Sequence, residues 1–258
     1  NHYSRYSMGN DIADYNNDGQ PDIFTVDMLP ADERVLKTYS GGEQPDIYQS
    51  NIIGNGFQHQ YSKNCLQVNL GDGAAFSERA LQAGIAATDW SWSPLFGDFD
   101  NDGIKDLFVS NGIVRRLADL DYMKYVEHPS VAREMSQTRR LDQALISRMP
   151  EGKAVNYFFR GGEDGHFTDI SNRCTTYRPG CSTGAAVADL DNDGRPDIIT
   201  NNINEEATIY HNICPDRRHF LSVSCEGLGA NRLGVGCKVF VFTQGHMQYQ
   251  EMTLTRGF

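Results

Sequence analysis

Several things are scarce or missing in this chain, and each absence narrows the field. No apolar run approaches the ~20 residues that a membrane-crossing helix needs, so none is expected. Positive charge is short, with 23 Lys and Arg against 34 Asp and Glu and a formal net charge of −11. That balance argues against a nucleic-acid partner and against simple adhesion to an anionic lipid surface, both of which need a cationic face. The seven histidines (2, 59, 128, 166, 211, 219 and 246) fall in no HxxxH pattern, and no phosphate-cradling P-loop occurs. The six cysteines (65, 174, 181, 214, 225 and 237) make neither CxxC pairs nor the Cys/His spacing of a zinc site. Nothing around Asn1 has the basic and apolar regions of a leader, so any export signal is expected outside the residues shown.

What is abundant is Asp, and it is concentrated. Asp-Phe-Asp-Asn-Asp-Gly-Ile-Lys-Asp (98–106) runs directly into Leu107-Phe108-Val109. Two carboxylates about 4 Å apart repel by about 4 kcal/mol at an effective dielectric of about 20. Something must offset that cost. The same phrase occurs as DYNNDGQPD (14–22) and DLDNDGRPD (189–197), each followed by a β-prone apolar run. A second phrase also repeats: NCLQVNLGDGAAFSE (64–78) and NYFFRGGEDGHFTDI (156–170) both read as strand, Gly-rich turn, strand. The repeating unit therefore reads as strand, turn, strand, then strand, acidic loop, strand. Four short strands per unit is the pattern of a propeller blade.

The spacing between acidic loops exceeds a compact blade of about 40 to 50 residues, so inserts are expected. Residues 115–150 carry apolar positions 117, 120, 123 and 126 at helical spacing, and Pro129-Ser130 precedes a second predicted helix. Residues 28–60 form a polar insert without a clear period. The fold class expected is mainly β: a partial β-propeller of four-stranded blades, with calcium-binding loops, a helical insert and the start of a C-terminal β domain.

Loop chemistry explains the acid. In a tight turn the side chains at positions 1, 3 and 5 converge, Gly at 6 permits the bend, position 7 offers its carbonyl, and a late carboxylate closes the cage. Such a cage suits Ca2+, which takes 6 to 8 hard oxygens at about 2.3–2.6 Å. The candidate ligands are Asp14, Asn16, Asp18, the Gln20 carbonyl and Asp22; Asp98, Asp100, Asp102, the Ile104 carbonyl and Asp106; and Asp189, Asp191, Asp193, the Arg195 carbonyl and Asp197. An EF-hand would need an acid at position 12, where Thr25, Val109 and Thr200 stand instead. The closing Asp is at position 9, directly before a strand. Metal-free Asx-rich turns are the plainer alternative, but a threefold match to cage spacing favours about three Ca2+ sites. Asn16 removes one charge from the first. Nitrogen and sulfur ligands are absent from the pattern, which disfavours zinc and copper.

The repeats, LFGDFDNDGIKDLFV and AVADLDNDGRPDII among them, resemble FG-GAP/VCBS repeats, the calcium-loop blades of integrin-like propellers. Residues 219–258 are similar to the ASPIC/UnbV domain through Asn231-Arg232, Gly234, Gly236 and Thr255-Arg256-Gly257-Phe258. Together they resemble the cartilage-acidic-protein-like group, including surface lipoproteins of Bacteroidetes. The resemblance implies a propeller over 1–215 and a C-terminal domain over 216–258, within a longer polypeptide of about seven blades whose first blade is partial here. It also implies export to the extracellular or outer-membrane surface, near nutrient-uptake machinery.

Function follows less directly, because propellers serve many functions. The leading expectation is a non-catalytic module that engages glycan, peptide or a partner protein. A related reading docks it as an accessory subunit on an outer-membrane transporter complex. The alternative is a propeller-type polysaccharide lyase or hydrolase, and hydrolysis would need two converging carboxylates free of metal. Trp90 and Trp92 alternate and could stack on a sugar, although packing between blades is the more common role. Cys174 and Cys181 flank a turn short enough for a disulfide, which would suit an oxidising compartment; six reduced thiols is the equal alternative.

Overall fold

The computed structural model describes residues 2–39, 45–71, 75–138, 143–173, 176–215, 218–243 and 245–257. Its architecture is mainly β, built from antiparallel sheets that follow one another as blades. In the first, β1 (His2–Ser4) lies beside β4 (His59–Tyr61) as a small parallel pair. The blade itself is β2 (Asn10–Ala13), β3 (Asp22–Thr25), β5 (Cys65–Asn69) and β6 (Phe76–Glu78), hydrogen-bonded in that order. The second blade is β7 (Ser91–Gly97), β8 (Asp106–Asn111), β11 (Tyr157–Gly161) and β12 (Phe167–Asp169). Between them, β9 (Ile113–Arg115) pairs with β10 (Glu151–Gly152) and closes the neck of an insert. The third sheet has β13 (Ser182–Ala188), β14 (Asp197–Asn202) and β15 (Thr208–Tyr210). A hairpin of β16 (Lys238–Thr243) and β17 (His246–Glu251) follows.

Pairing corrects the grouping expected from the repeats. Each acidic loop is the turn between the first two strands of its own blade, and the strand–turn–strand phrase that follows supplies the outer two. β5 pairs with β3, so 64–78 completes the blade that the loop at 14–22 opens. The first blade therefore has all four strands and is not partial. The third is the three-stranded one among the described residues. Sequence alone could not decide this, because β3 and β5 meet across an insert with no pattern of its own.

The apolar run after the second loop is continuous because both faces of β8 are covered, and a strand sends alternate side chains to opposite faces. Leu107 and Val109 enter a core with Phe24, Val26, Leu66, Phe96 and Ile85 on the first-blade side. Phe108 faces the other way, toward Leu95 and Ile198, with Phe158 and Tyr210 packed against them. Full burial of each such side chain contributes about 1.5–3 kcal/mol. Leu107, Phe108 and Val109 are all 0 % exposed.

The insert of the second blade carries helices Leu120–Glu127, Pro129–Thr138 and Gln143–Arg148. Asp119 caps the first by accepting the Tyr122 N–H at 2.9 Å, and Pro129 starts the second where a missing N–H costs nothing. Leu117 lies before the first helix and is exposed. In the first blade's insert, Asp32 caps a short helix, Glu33–Thr38.

The end of the chain returns to the blades. Gly257 bridges Asn10 of β2, and a Cβ there would meet Ser93 Oγ at 2.7 Å and Leu95 Cδ2 at 2.9 Å. Beside it, Arg256 donates to both oxygens of buried Asp11 (3.1 and 2.5 Å) and to the Phe96 carbonyl (2.6 Å). The Asp11 carboxylate in turn accepts the Phe96 N–H at 2.7 Å. One guanidinium thus joins the first strands of two blades.

Candidate metal centre

The acidic loops repeat down to individual hydrogen bonds. The position-1 carboxylate spans the turn: Asp14 accepts the N–H groups of Asp18 and Gly19 (3.0 and 2.8 Å), Asp98 those of Asp102 and Gly103 (both 2.9 Å), and Asp189 those of Asp193 and Gly194 (3.1 and 2.9 Å). At position 9 the closing carboxylate ties the loop to the third strand of its blade or, in the last loop, to the chain just past that strand. Asp22 accepts from Tyr15 and Asn69 (3.2 and 2.8 Å), Asp106 from Phe99 and Gly161 (3.0 and 2.9 Å), and Asp197 from Leu190 and Asn212 (3.0 and 2.7 Å). Position 7 is set by its N–H, which donates to position 5: Gln20 to Asp18, Ile104 to Asp102 and Arg195 to Asp193. The turn needs left-handed backbone at positions 4 and 6. Asn17, Asn101 and Asn192 have φ of 57°, 55° and 61°, and the glycines 19, 103 and 194 have 84°, 91° and 83°. Asn tolerates that region and Gly prefers it.

Among the described residues, ligand oxygens of Asp98, Asp100 and Asp106 lie within 4.8 Å of one another, and so do those of Asp189, Asp191 and Asp197. These are positions 1, 3 and 9. Position 5 does not join them. Asp102 turns to Arg160 (3.1 Å) and Arg218 (3.4 Å), and Asp193 pairs with Arg195. Asp100 also meets Arg160 (2.8 Å) and Arg218 (3.3 Å). In the first loop Asn16 donates to Asp18 at 2.9 Å. Sequence reasoning missed Arg160 and Arg218 because they arrive from β11 and from the segment before the C-terminal hairpin.

Burial sharpens the charge problem. It is the main cause that pushes Asp22 up to about 7, with the charges of Asp18 and Asp14 adding and the N–H groups of Asn69 and Tyr15 opposing. Burial likewise pushes Asp106 up to about 7 against the N–H groups of Gly161 and Phe99. Asp14 and Asp98 are also raised, again mainly by burial. In the third loop burial also acts to raise Asp197, but the N–H groups of Asn212 and Leu190 and the nearby His211 outweigh it and hold the carboxyl low. His211 stands 3.3 Å from Asp197 and 3.8 Å from Asp191. Carboxylates aimed at one point, several of them reluctant to ionise, suit a hard dication, which reverses the local energetics.

Consecutive loops are also linked. Asn17 donates to the Gly103 carbonyl (2.7 Å) and Asn101 to the Gly194 carbonyl (3.2 Å). Each position-4 amide thus reaches the position-6 glycine of the next loop. The recurring Asn was visible in the repeat, but only the blade order shows what it does. The C-terminal segment covers the same glycines: a Cβ at Gly19 would meet Met247, at Gly103 Gln248, and at Gly194 Phe220.

Other candidates resolve as follows. Trp90 lines a small cleft with Val35, Tyr39 and Arg116, and the Trp92 ring N–H donates to the Gly112 carbonyl at 2.8 Å. Gly180-Cys181-Ser182-Thr183-Gly184 matches the Gly-x-Ser-x-Gly spacing of a nucleophile elbow, a pattern that sequence reasoning overlooked. Ser182, however, is buried at the start of β13, donating to Asn202 (2.8 Å) and accepting from Asn156 (2.9 Å). No strand–turn–helix elbow surrounds it. Cys181 is a buried free thiol, and Cys174, its expected partner, lies outside the described residues.

Residues 45–109 and 140–200 match the family model of the FG-GAP-like repeat. Each match runs from outside one acidic loop through that loop and into the strand after it, so the sequence repeat straddles two blades. No curated protein matches the chain.

Proposed function

We propose that this chain is a calcium-stabilised, non-catalytic binding module of the cell surface, in which ions in the three acidic loops hold neighbouring blades in register. The observation that carries the reading is the repeated loop: the same hydrogen bonds recur at positions 1, 5 and 9 in all three, and positions 1, 3 and 9 converge in the second and third, whereas the first, with Asn16 at position 3, forms no such carboxylate group among the described residues. Positions 1, 3 and 9 with the carbonyls of Gln20, Ile104 and Arg195 would supply the oxygens, and position 5 would join on leaving its arginine partners in the second and third loops. FG-GAP-like repeats support the reading as a module type. Ca2+ would bind at the 10⁻⁴–10⁻³ M level of extracellular modules.

The partner is a glycan, a peptide or another protein, and the chain serves as an exported accessory subunit of an outer-membrane nutrient-uptake complex. Purification from the native envelope in calcium, with and without chelator, tests this directly. Co-purification with a transporter, lost on chelation, is the expected result. Recovery of the protein alone together with depolymerisation of a polysaccharide would replace the reading with the lyase or hydrolase alternative.

A further inference from the structure

Cys225 and Cys237 stand at the two ends of one closed loop. Between them the chain folds back on itself: the Gly227 N–H donates to the Arg232 carbonyl (3.2 Å), and the Gly234 N–H to the Asn231 carbonyl (3.1 Å). The Asn231 side chain accepts the Val235 N–H at 2.8 Å and donates to the Val235 carbonyl at 3.0 Å. The Cys237 N–H then returns to the Gly234 carbonyl (2.9 Å). Gly234, at φ 64°, is packed so closely that a Cβ there would lie 2.8 Å from the Cys225 Cβ. Across this neck the Cys237 side chain stands beside the Cys225 thiol and is the first cause that raises its pKa.

Accessibility separates this pair from the buried thiols. Cys237 is exposed and Cys225 half-buried, as is Cys214, whereas Cys65 and Cys181 are buried. Thiol–disulfide exchange needs a sulfur that an oxidant can reach and a second thiol placed to resolve the mixed disulfide. Here the exposed thiol and its neighbour meet both needs.

We infer that Cys225 and Cys237 are a modification site, oxidised to a disulfide that clasps the 226–236 loop. A thiolate of the pair attacks the disulfide of an oxidant, either a protein disulfide oxidoreductase or a low-molecular-weight disulfide. One oxidant thiol leaves. The second cysteine then attacks the mixed disulfide and releases the other oxidant thiol. Two electrons pass to the oxidant, and the two thiol protons end on its reduced sulfurs. The clasp ties Phe220, which lies against Gly194, to the hairpin whose Met247 and Gln248 lie against Gly19 and Gly103. Oxidation would therefore fix the cover of all three acidic loops as one piece.

The test uses the full chain, incubated with either glutathione disulfide or dithiothreitol, alkylated, digested and mapped by mass spectrometry. The expected result is a peptide linking Cys225 to Cys237 in the oxidised sample only, with the chain lighter by two hydrogens. Oxidation should raise the melting temperature of this chain by roughly 5 °C, given the size of the loop closed, and leave Cys237→Ser unmoved. Full alkylation of both cysteines after oxidation, or Cys225 linked to a different cysteine, overturns the assignment. An equal thermal shift in Cys237→Ser overturns it too, since another thiol would then be responsible.

Discussion

The junction between the first and second blades and the junction between the second and third are built from the same parts, yet they differ in depth. At the first, Phe24, Phe96, Leu107, Val109 and Phe167 form a continuous buried core with Tyr15 stacked among the rings. At the second, the buried core is Leu95, Phe108 and Ile198, with partly buried rings around it. The loops follow suit. Asp22 and Asp106 are closed off and pushed to about 7, whereas Asp189 and Asp191 are exposed and Asp197 is held low. One loop sequence therefore yields two electrostatic states, and what lies against the loop decides which. In this region β8 serves both junctions at once, which is why its apolar run is unbroken.

The largest test of that contrast is in the cores. Phe96→Ala, at the deep junction, should cost about 3–5 kcal/mol in urea unfolding, as truncation of a fully buried ring does. Ile198→Val, at the shallow one, should cost about 1 kcal/mol. Similar losses at both sites would mean the two junctions are equivalent after all.

Acidity gives the next contrast. In chelator, Asp22 and Asp106 keep protons in the fold at pH values where the unfolded chain, at 3.8, has released them. The folded state binds more protons there, so stability is fullest below about pH 4 and falls as pH rises through about 7. Asp197 acts oppositely: its contribution is present above the unfolded value of 3.8 and is lost as pH falls. Unfolding free energies measured at pH 5 and pH 8 without metal should therefore fall across that interval. Asp106→Asn should flatten the fall and Asp197→Asn should not. A slope unchanged by Asp106→Asn would remove burial of that carboxylate as its cause.

The smallest effect concerns the links between loops. Asn17→Gly keeps a residue suited to positive φ but removes the amide that reaches Gly103 at 2.7 Å, and should cost about 1 kcal/mol. Asn101→Gly removes the longer 3.2 Å contact and should cost less. Thermal melts of the two variants side by side would rank them, and the reverse order would contradict the geometry.

Local spacing made the acidic loops legible: positions 1, 3, 6 and 9 sit within nine consecutive residues, and turn chemistry acts over that range. The mainly-β architecture was legible for the same reason, since the apolar runs after each loop are short and abrupt. Long-range geometry was not legible. β3 reaches β5 across an insert, Arg160 and Arg218 come to Asp102 from distant segments, and Cys225 meets Cys237 only because the 226–236 loop closes. The strand–turn–strand phrase and the acidic loop after it look like one unit in sequence but divide between two blades in space, because pairing follows the sheet and not the repeat.

The central claim is that the three loops are cation sites. Calorimetric titration of Ca2+ into the chelator-stripped chain tests it most directly, with the melting temperature followed in parallel. The account predicts about three ions bound per chain at the 10⁻⁴–10⁻³ M level, with a higher melting temperature at saturation that chelator reverses. A chain that takes up no calcium, and melts identically with and without it, would contradict the account.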